Sequence, residues 1–170
     1  MTDISNGPVF ANYLLEPGYI FLAINPTSIS AVAGSSVSVS VYDRKRKMGG
    51  MNLFRFPYVR EKDRATAEYG NVATITLIRM MLHDGSRIKD LEAQILGGAY
   101  NNKMSPKNIG RDNIMAARKI LAKERVSVVS EDVGGDKGRK VVFNTSAGEV
   151  AVIKVDKLRT ADWYPYTQNR

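Results

Sequence analysis

Hydrophobic and polar positions alternate most strictly at residues 37–43, where Val37, Val39 and Val41 interleave with Ser38, Ser40 and Tyr42. A period of two with β-branched residues predicts a strand, with valines on one face and small hydroxyls on the other. Shorter apolar runs at 18–24, 28–32 and 51–56 are bounded by Gly, Asn25-Pro26 and Pro57 and predict three more strands. The charged run Arg44-Lys45-Arg46-Lys47 reads as the hairpin connection before Gly49-Gly50. Residues 58–66 read as a surface loop. The period then changes. Residues 68–83 predict a helix whose stripe is Val72, Ile75, Ile78 and Leu82, with Leu77 and Met81 beside it and Gly85 as C-cap. A strand follows at 91–96. A second helix spans about 108–124, with Asn108 as N-cap and a stripe of Ile114, Ala117, Ile120 and Leu121. Strands at 126–130, 139–144 and 149–155 complete the pattern, the last two as a hairpin around Ser146-Ala147-Gly148.

Two helices cannot cover both faces of so large a sheet. The expected fold is therefore α+β: a layered sandwich of mixed β-sheet with both helices packed on one side. Residues 1–17 read as an irregular N-terminal segment in which Tyr13-Leu14-Leu15 can pack on the domain, residues 18–155 as the domain, and residues 156–170 as a tail. The tail lacks periodicity and is expected to be mobile or to lie on the surface. Its Trp163-Tyr164-Pro165-Tyr166 run is either an exposed anchor for a partner or folds back.

Composition narrows the chemistry. The chain has 170 residues and no cysteine, which excludes disulfides, thiolate metal sites and thiol nucleophiles. No apolar run approaches the roughly 20 residues of a membrane helix, and Met1-Thr2-Asp3-Ile4 lacks a signal-peptide pattern. The expectation is a soluble, cytoplasmic protein without direct membrane insertion. Charge is uneven. Residues 1–43 hold three acidic residues and no Lys or Arg, while the remainder sets 25 basic residues against 14 acidic ones. Such a surface favours acidic partners. No reading helix or stacking motif accompanies the charge, so nucleic acid is a weak expectation.

Candidate chemistry gathers at Gly34-Ser35-Ser36, where a small-residue turn feeds the alternating strand. His83 is the only histidine, and its place at a helix end is explained by the helix dipole. Gly97-Gly98 and Gly134-Gly135 lack the spacing of phosphate-binding loops and read as tight turns with positive φ. One histidine and no cysteine leave no metal site to propose, and no cofactor is expected.

These residues carry a resemblance. Gly34-Ser35-Ser36-Val37 with Tyr42-Asp43, Gly49-Gly50-Met51-Asn52, Leu96-Gly97-Gly98-Ala99 with Ile109-Gly110-Arg111-Asp112-Asn113, and Glu131-Asp132-Val133-Gly134-Gly135 with Gly138-Arg139-Lys140-Val141 stand in one order. In that order they resemble the chemoreceptor glutamine deamidase (CheD) family of bacterial chemotaxis, over about residues 18–155. The resemblance implies a cysteine hydrolase. A Cys in Gly-Ser-Cys-Val attacks a receptor glutamine, a His in Gly-Gly-Met-x-His is the base, and a Thr before the Cys completes the site. Carried over by position, Ser36 takes the place of the Cys, Leu53 of the His and Ser30 of the Thr. Serine without a proton acceptor is a poor nucleophile, and leucine accepts no proton. A Cys-to-Ser change alone would suit an engineered trap, whereas the accompanying His-to-Leu change points to natural loss.

The resemblance therefore implies a divergent member that binds methyl-accepting chemoreceptors, or a CheC-type phosphatase, without deamidating glutamine. Gly34, Ser35, Asn52, Gly97 and Gly98 are its candidate binding residues. One alternative is an active amidohydrolase using Ser36 as nucleophile. Another is a nucleic-acid-binding module on a relic fold.

Overall fold

A computed structural model describes residues 10–164; the readings made on Met1-Thr2-Asp3-Ile4, Pro165 and Tyr166 lie outside them. Nine strands form two sheets. β1 (Ala11–Leu14), β3 (Thr27–Ala33), β8 (Gly138–Asn144) and β9 (Glu149–Val155) make a four-stranded sheet in the order β1-β3-β8-β9. β2 (Tyr19–Ala23), β5 (Met48–Phe54), β4 (Val37–Asp43), β6 (Leu91–Gly97) and β7 (Ser127–Val133) make a five-stranded sheet in the order β2-β5-β4-β6-β7. Both sheets are mixed: β1–β3 and β6–β7 run parallel and the other pairs antiparallel. The helices α1 (Gly70–His83) and α2 (Ile109–Lys123) cover the outer face of the five-stranded sheet. The result is the expected α+β sandwich with both helices on one side. The face that the helices leave bare is covered by the second sheet.

β4 is the centre of this arrangement, and all seven of its residues are buried. Val37, Val39 and Val41 pack with Phe54, Leu77, Ile78, Met81, Ile95 and Leu121 in the helix–sheet layer. On the opposite face, Tyr42 joins Leu53, Leu96, Ile29, Ala31, Val141 and Phe143 between the sheets. The hydroxyls of that face are satisfied locally; the Ser38 hydroxyl donates to the Asn52 carbonyl at 2.6 Å.

Three expectations need correction. The N-terminal segment is not irregular throughout, because Ala11–Leu14 pairs in parallel with β3 and Leu15 is buried. The α1 stripe is out of phase: the buried set is Gly70, Ala73, Thr74, Leu77, Ile78 and Met81, while Val72 and Ile75 are half-buried and Leu82 is exposed. α1 is apolar around most of its circumference, so hydrophobicity does not choose its face. Close packing does, since Gly70 sits against the Phe54 ring and Thr74 reaches the Asn52 amide at 3.3 Å. Third, among the described residues the tail returns to the domain, and Trp163 is buried. The α2 boundaries, its Asn108 cap and its stripe agree with the pattern.

At the far end of β4, the buried Asp43 carboxylate accepts from the amides of Lys45 and Arg46, both at 2.9 Å, and shapes the basic hairpin. Burial alone would raise its pKa. The neighbouring Ser86 hydroxyl, the two amides and the Arg46 charge outweigh that and hold it below the ordinary value. Asp43→Asn should therefore cost about 1–3 kcal/mol at neutral pH. A folded pKa lowered below the unfolded one gives a contribution fully present above about pH 4–5, lost as pH falls through the folded value. Urea midpoints of the two proteins should thus converge in acid; a gap that stays constant with pH would refute this role.

Candidate functional site

The chain crosses from the four-stranded to the five-stranded sheet at Gly34-Ser35-Ser36, between β3 and β4. Three main-chain carbonyls of this turn are bound from below. Gly34 O accepts from Ala99 N at 2.9 Å, Ser36 O from Gly98 N at 2.8 Å, and Ser35 O from Asn113 Nδ2 at 3.0 Å. The same Asn113 amide donates to Arg55 O at 2.9 Å, just past β5. One buried side chain on α2 thus ties the nucleophile-position turn to the strand carrying the base position. Its Oδ1 has no partner among the described residues.

Gly97 and Gly98 fit this cradle. Their φ values of 101° and 69° are left-handed, and a Cβ on Gly97 would lie 2.5 Å from Ser36 O. They are the tight turns with positive φ expected from the sequence, placed directly beneath Ser36. Gly34 has no positive φ; a Cβ there would lie 2.2 Å from Asp162 O, so the close approach of the tail is what demands glycine.

Of the implied catalytic set, the register sets Leu53 beside the strand that Ser36 leads into, whereas Ser30 faces the other side of its own sheet. Ser36 is 2% exposed and immediately precedes β4. Leu53 is wholly buried in the apolar layer between the sheets, and the register pairs it with Ser38. Ser30 pairs with Leu14 and Val142 and alternates with Ile29 and Ala31, which face the inter-sheet layer. Ser30 therefore sits on the outer face of the four-stranded sheet, away from Leu53. Asn52 faces the helix layer instead: its Oδ1 accepts from Val39 N at 2.9 Å and its Nδ2 donates to Thr74.

Neither His83 nor Asp162 is placed to serve as a substitute base. His83 ends α1 beside Asp84, which pairs with Arg46 at 3.0 Å in the hairpin after Asp43. That is the opposite end of β4 from Ser36, about 20 Å away for seven strand residues. Asp162 touches the turn through its main-chain carbonyl, but both of its carboxylate oxygens accept from Arg159, at 3.2 and 3.1 Å. Arg139, buried and paired by register with Ala33, is neutralised by Asp132 at 3.0 Å, a bridge between β8 and β7 that joins the two sheets.

Two contributors escaped the sequence reading. Asn113 stands inside a quoted motif with no role of its own, and for the tail the sequence leaves open whether its aromatic run is exposed or folds back. An asparagine buried on the first turns of a helix is the signal available for the first. The second has none, because its contacts are made by main-chain atoms.

Comparison with known proteins agrees with this frame. The family model for CheD, described as chemotactic sensory transduction, matches residues 57–154. The chain is 36% identical over 146 residues to the "Probable chemoreceptor glutamine deamidase CheD" of Sulfurimonas denitrificans, covering 84% of this chain and 94% of that protein. It is 35% identical over 140 residues to "CheD 1" of Anaeromyxobacter dehalogenans, covering 81% of each, and 36% identical over 154 residues to the Trichlorobacter lovleyi protein, covering 88% and 94%. The chain belongs to the CheD family. The span matched by the family model begins past Ser36 and Leu53.

If Asn113 holds the turn, Asn113→Ala should destabilise the fold by about 2–4 kcal/mol, since it strands two buried carbonyls. Chemical denaturation measures this; an unchanged midpoint would show that the turn stands without it.

Proposed function

We propose that this chain is a chemotaxis protein that engages chemoreceptors, with a CheC-type phosphatase as a second candidate partner, and that it does not deamidate glutamine. The observation that carries the reading is Leu53. It fills the base position with a fully buried aliphatic side chain in an apolar layer. General bases contribute typically 10²–10⁴-fold, and a serine nucleophile depends on one more than a thiolate does. The retained cradle beneath Ser36 and the retained family features speak for kept recognition rather than a new fold use. The net charge of +8 suits an acidic helical partner and makes association salt-sensitive. Part of the hairpin charge is neutralised within the chain, Arg46 by Asp84 and Arg44 by Glu92.

Incubation with receptor cytoplasmic fragments should leave their mass unchanged while retaining them on the immobilised protein at low salt. Turnover abolished by Ser36→Ala would overturn the inactive reading, and no retention at low salt would overturn the binding one. The double change Ser36→Cys with Leu53→His should restore measurable deamidation if the frame is intact, since it returns both groups that the family chemistry needs.

A further inference from the structure

After β9 the chain does not leave the domain. Residues 158–164 run back across the ends of both sheets and lie on the Gly34–Ser36 turn. Leu158 packs where Gly138 and Gly34 have no side chains: a Cβ on Gly138 would lie 2.1 Å from Leu158 Cδ1, and one on Gly34 would lie 3.3 Å from the same atom. A short 3-10 turn, Thr160–Asp162, is stapled by the Arg159–Asp162 pair at 3.1 Å. Ser35 then clamps the segment from both sides. Its N–H donates to Asp162 O and its Oγ accepts from Tyr164 N–H, each at 3.2 Å. Between these two bonds Trp163 is only 3% exposed. The Tyr164 ring meets Phe56 edge-on at 6.3 Å, just past β5. The segment therefore spans from the β3 side of the turn to the β5 side, and Ser35 and Ser36 are buried beneath it.

Gly34 supplies a second, independent observation. Its backbone is ordinary, so no turn geometry demands glycine there. The atom nearest to an added Cβ is the Asp162 carbonyl oxygen, at 2.2 Å. The turn is thus shaped for the close approach of another segment's main chain. The fit is not tight throughout. A groove of about 380 Å³ remains between Val32, Lys140 and residues 157–162, and one of about 150 Å³ under Arg159 beside Leu14 and Pro17. A segment joined to the turn by two hydrogen bonds and a few side-chain contacts, and flanked by open grooves, opens more readily than the core.

We propose that residues 158–164 are a strap that keeps the Gly34–Ser36 surface closed, and that a partner reaches this surface by displacing it. The partner assignment rests on the chemoreceptor reading; the strap does not. Trp163 is the sole tryptophan, so its emission reports strap release directly. In the full chain, Gly34→Ala and Leu158→Asp should each shift that emission to the red and raise acrylamide quenching several-fold, with far-UV circular dichroism unchanged. Leu158→Asp leaves the turn itself intact and serves if Gly34→Ala misfolds. Receptor cytoplasmic fragments should produce the same red shift in the wild-type chain and should bind Leu158→Asp more tightly. Blue, quench-resistant emission in a folded Leu158→Asp would overturn the strap. Fragments that bind both proteins equally without moving the emission would overturn its gating role and leave the receptor reading standing. Red-shifted Leu158→Asp with no fragment bound by either protein would support the strap and sink the receptor reading.

Discussion

β4 is covered on both faces, and the other layers are placed by that covering. Its valines need the helices and its remaining face needs a second sheet, so the molecule becomes three layers thick. A strand buried on both sides cannot solvate its hydroxyls. Ser38 therefore returns its proton to a neighbouring carbonyl, and Asn52 lends an oxygen to Val39 N. The ends of β4 are handled by polar devices of opposite kinds. Asp43 organises a charged hairpin at one end, and carbonyls bound by Ala99, Gly98 and Asn113 organise a crossover turn at the other.

The crossover turn is where the family's chemistry would sit, and its two halves have separated. The cradle persists: Gly97, Gly98 and Asn113 hold the main chain of Ser35 and Ser36 in place. The positions that the resemblance assigns to reacting groups are built differently. Leu53 belongs to the inter-sheet core as fully as Phe143 or Met51 does, and Ser30 faces the other side of its sheet. Leucine suits this layer, because a buried imidazole there would need a polar partner that the surrounding apolar side chains do not offer. A turn held by this many main-chain hydrogen bonds does not depend on the identity of the side chains at positions 36 and 53 for its shape.

The strap gives the same turn a lid made from the chain itself. Its hydrogen bonds to the turn are two, and its packing rests on Leu158, Trp163 and Tyr164 against two glycines and Phe56. This kind of contact is weak enough to be exchanged and specific enough to hold Trp163 out of water.

Periodicity made much of this fold legible: the β4 alternation, the second helix with its Asn108 cap, the closing hairpin, and a layered α+β class with both helices together. Family motifs made the turn legible as well. Local pattern ended where the answer depended on partners distant in sequence. β1 is a strand because β3 offers it a parallel edge. The α1 face was decided by the Phe54 ring and the Asn52 amide, since the helix is apolar almost all round. The split into two sheets follows from which faces needed cover, a quantity that no single strand contains. Ser30 looked like a neighbour of Ser36 because they are six residues apart. The pleat turned its side chain outward. The tail had no pattern to read, because its hydrogen bonds to Ser35 use its own main-chain atoms, the Asp162 carbonyl and the Tyr164 N–H, which almost any residue can supply.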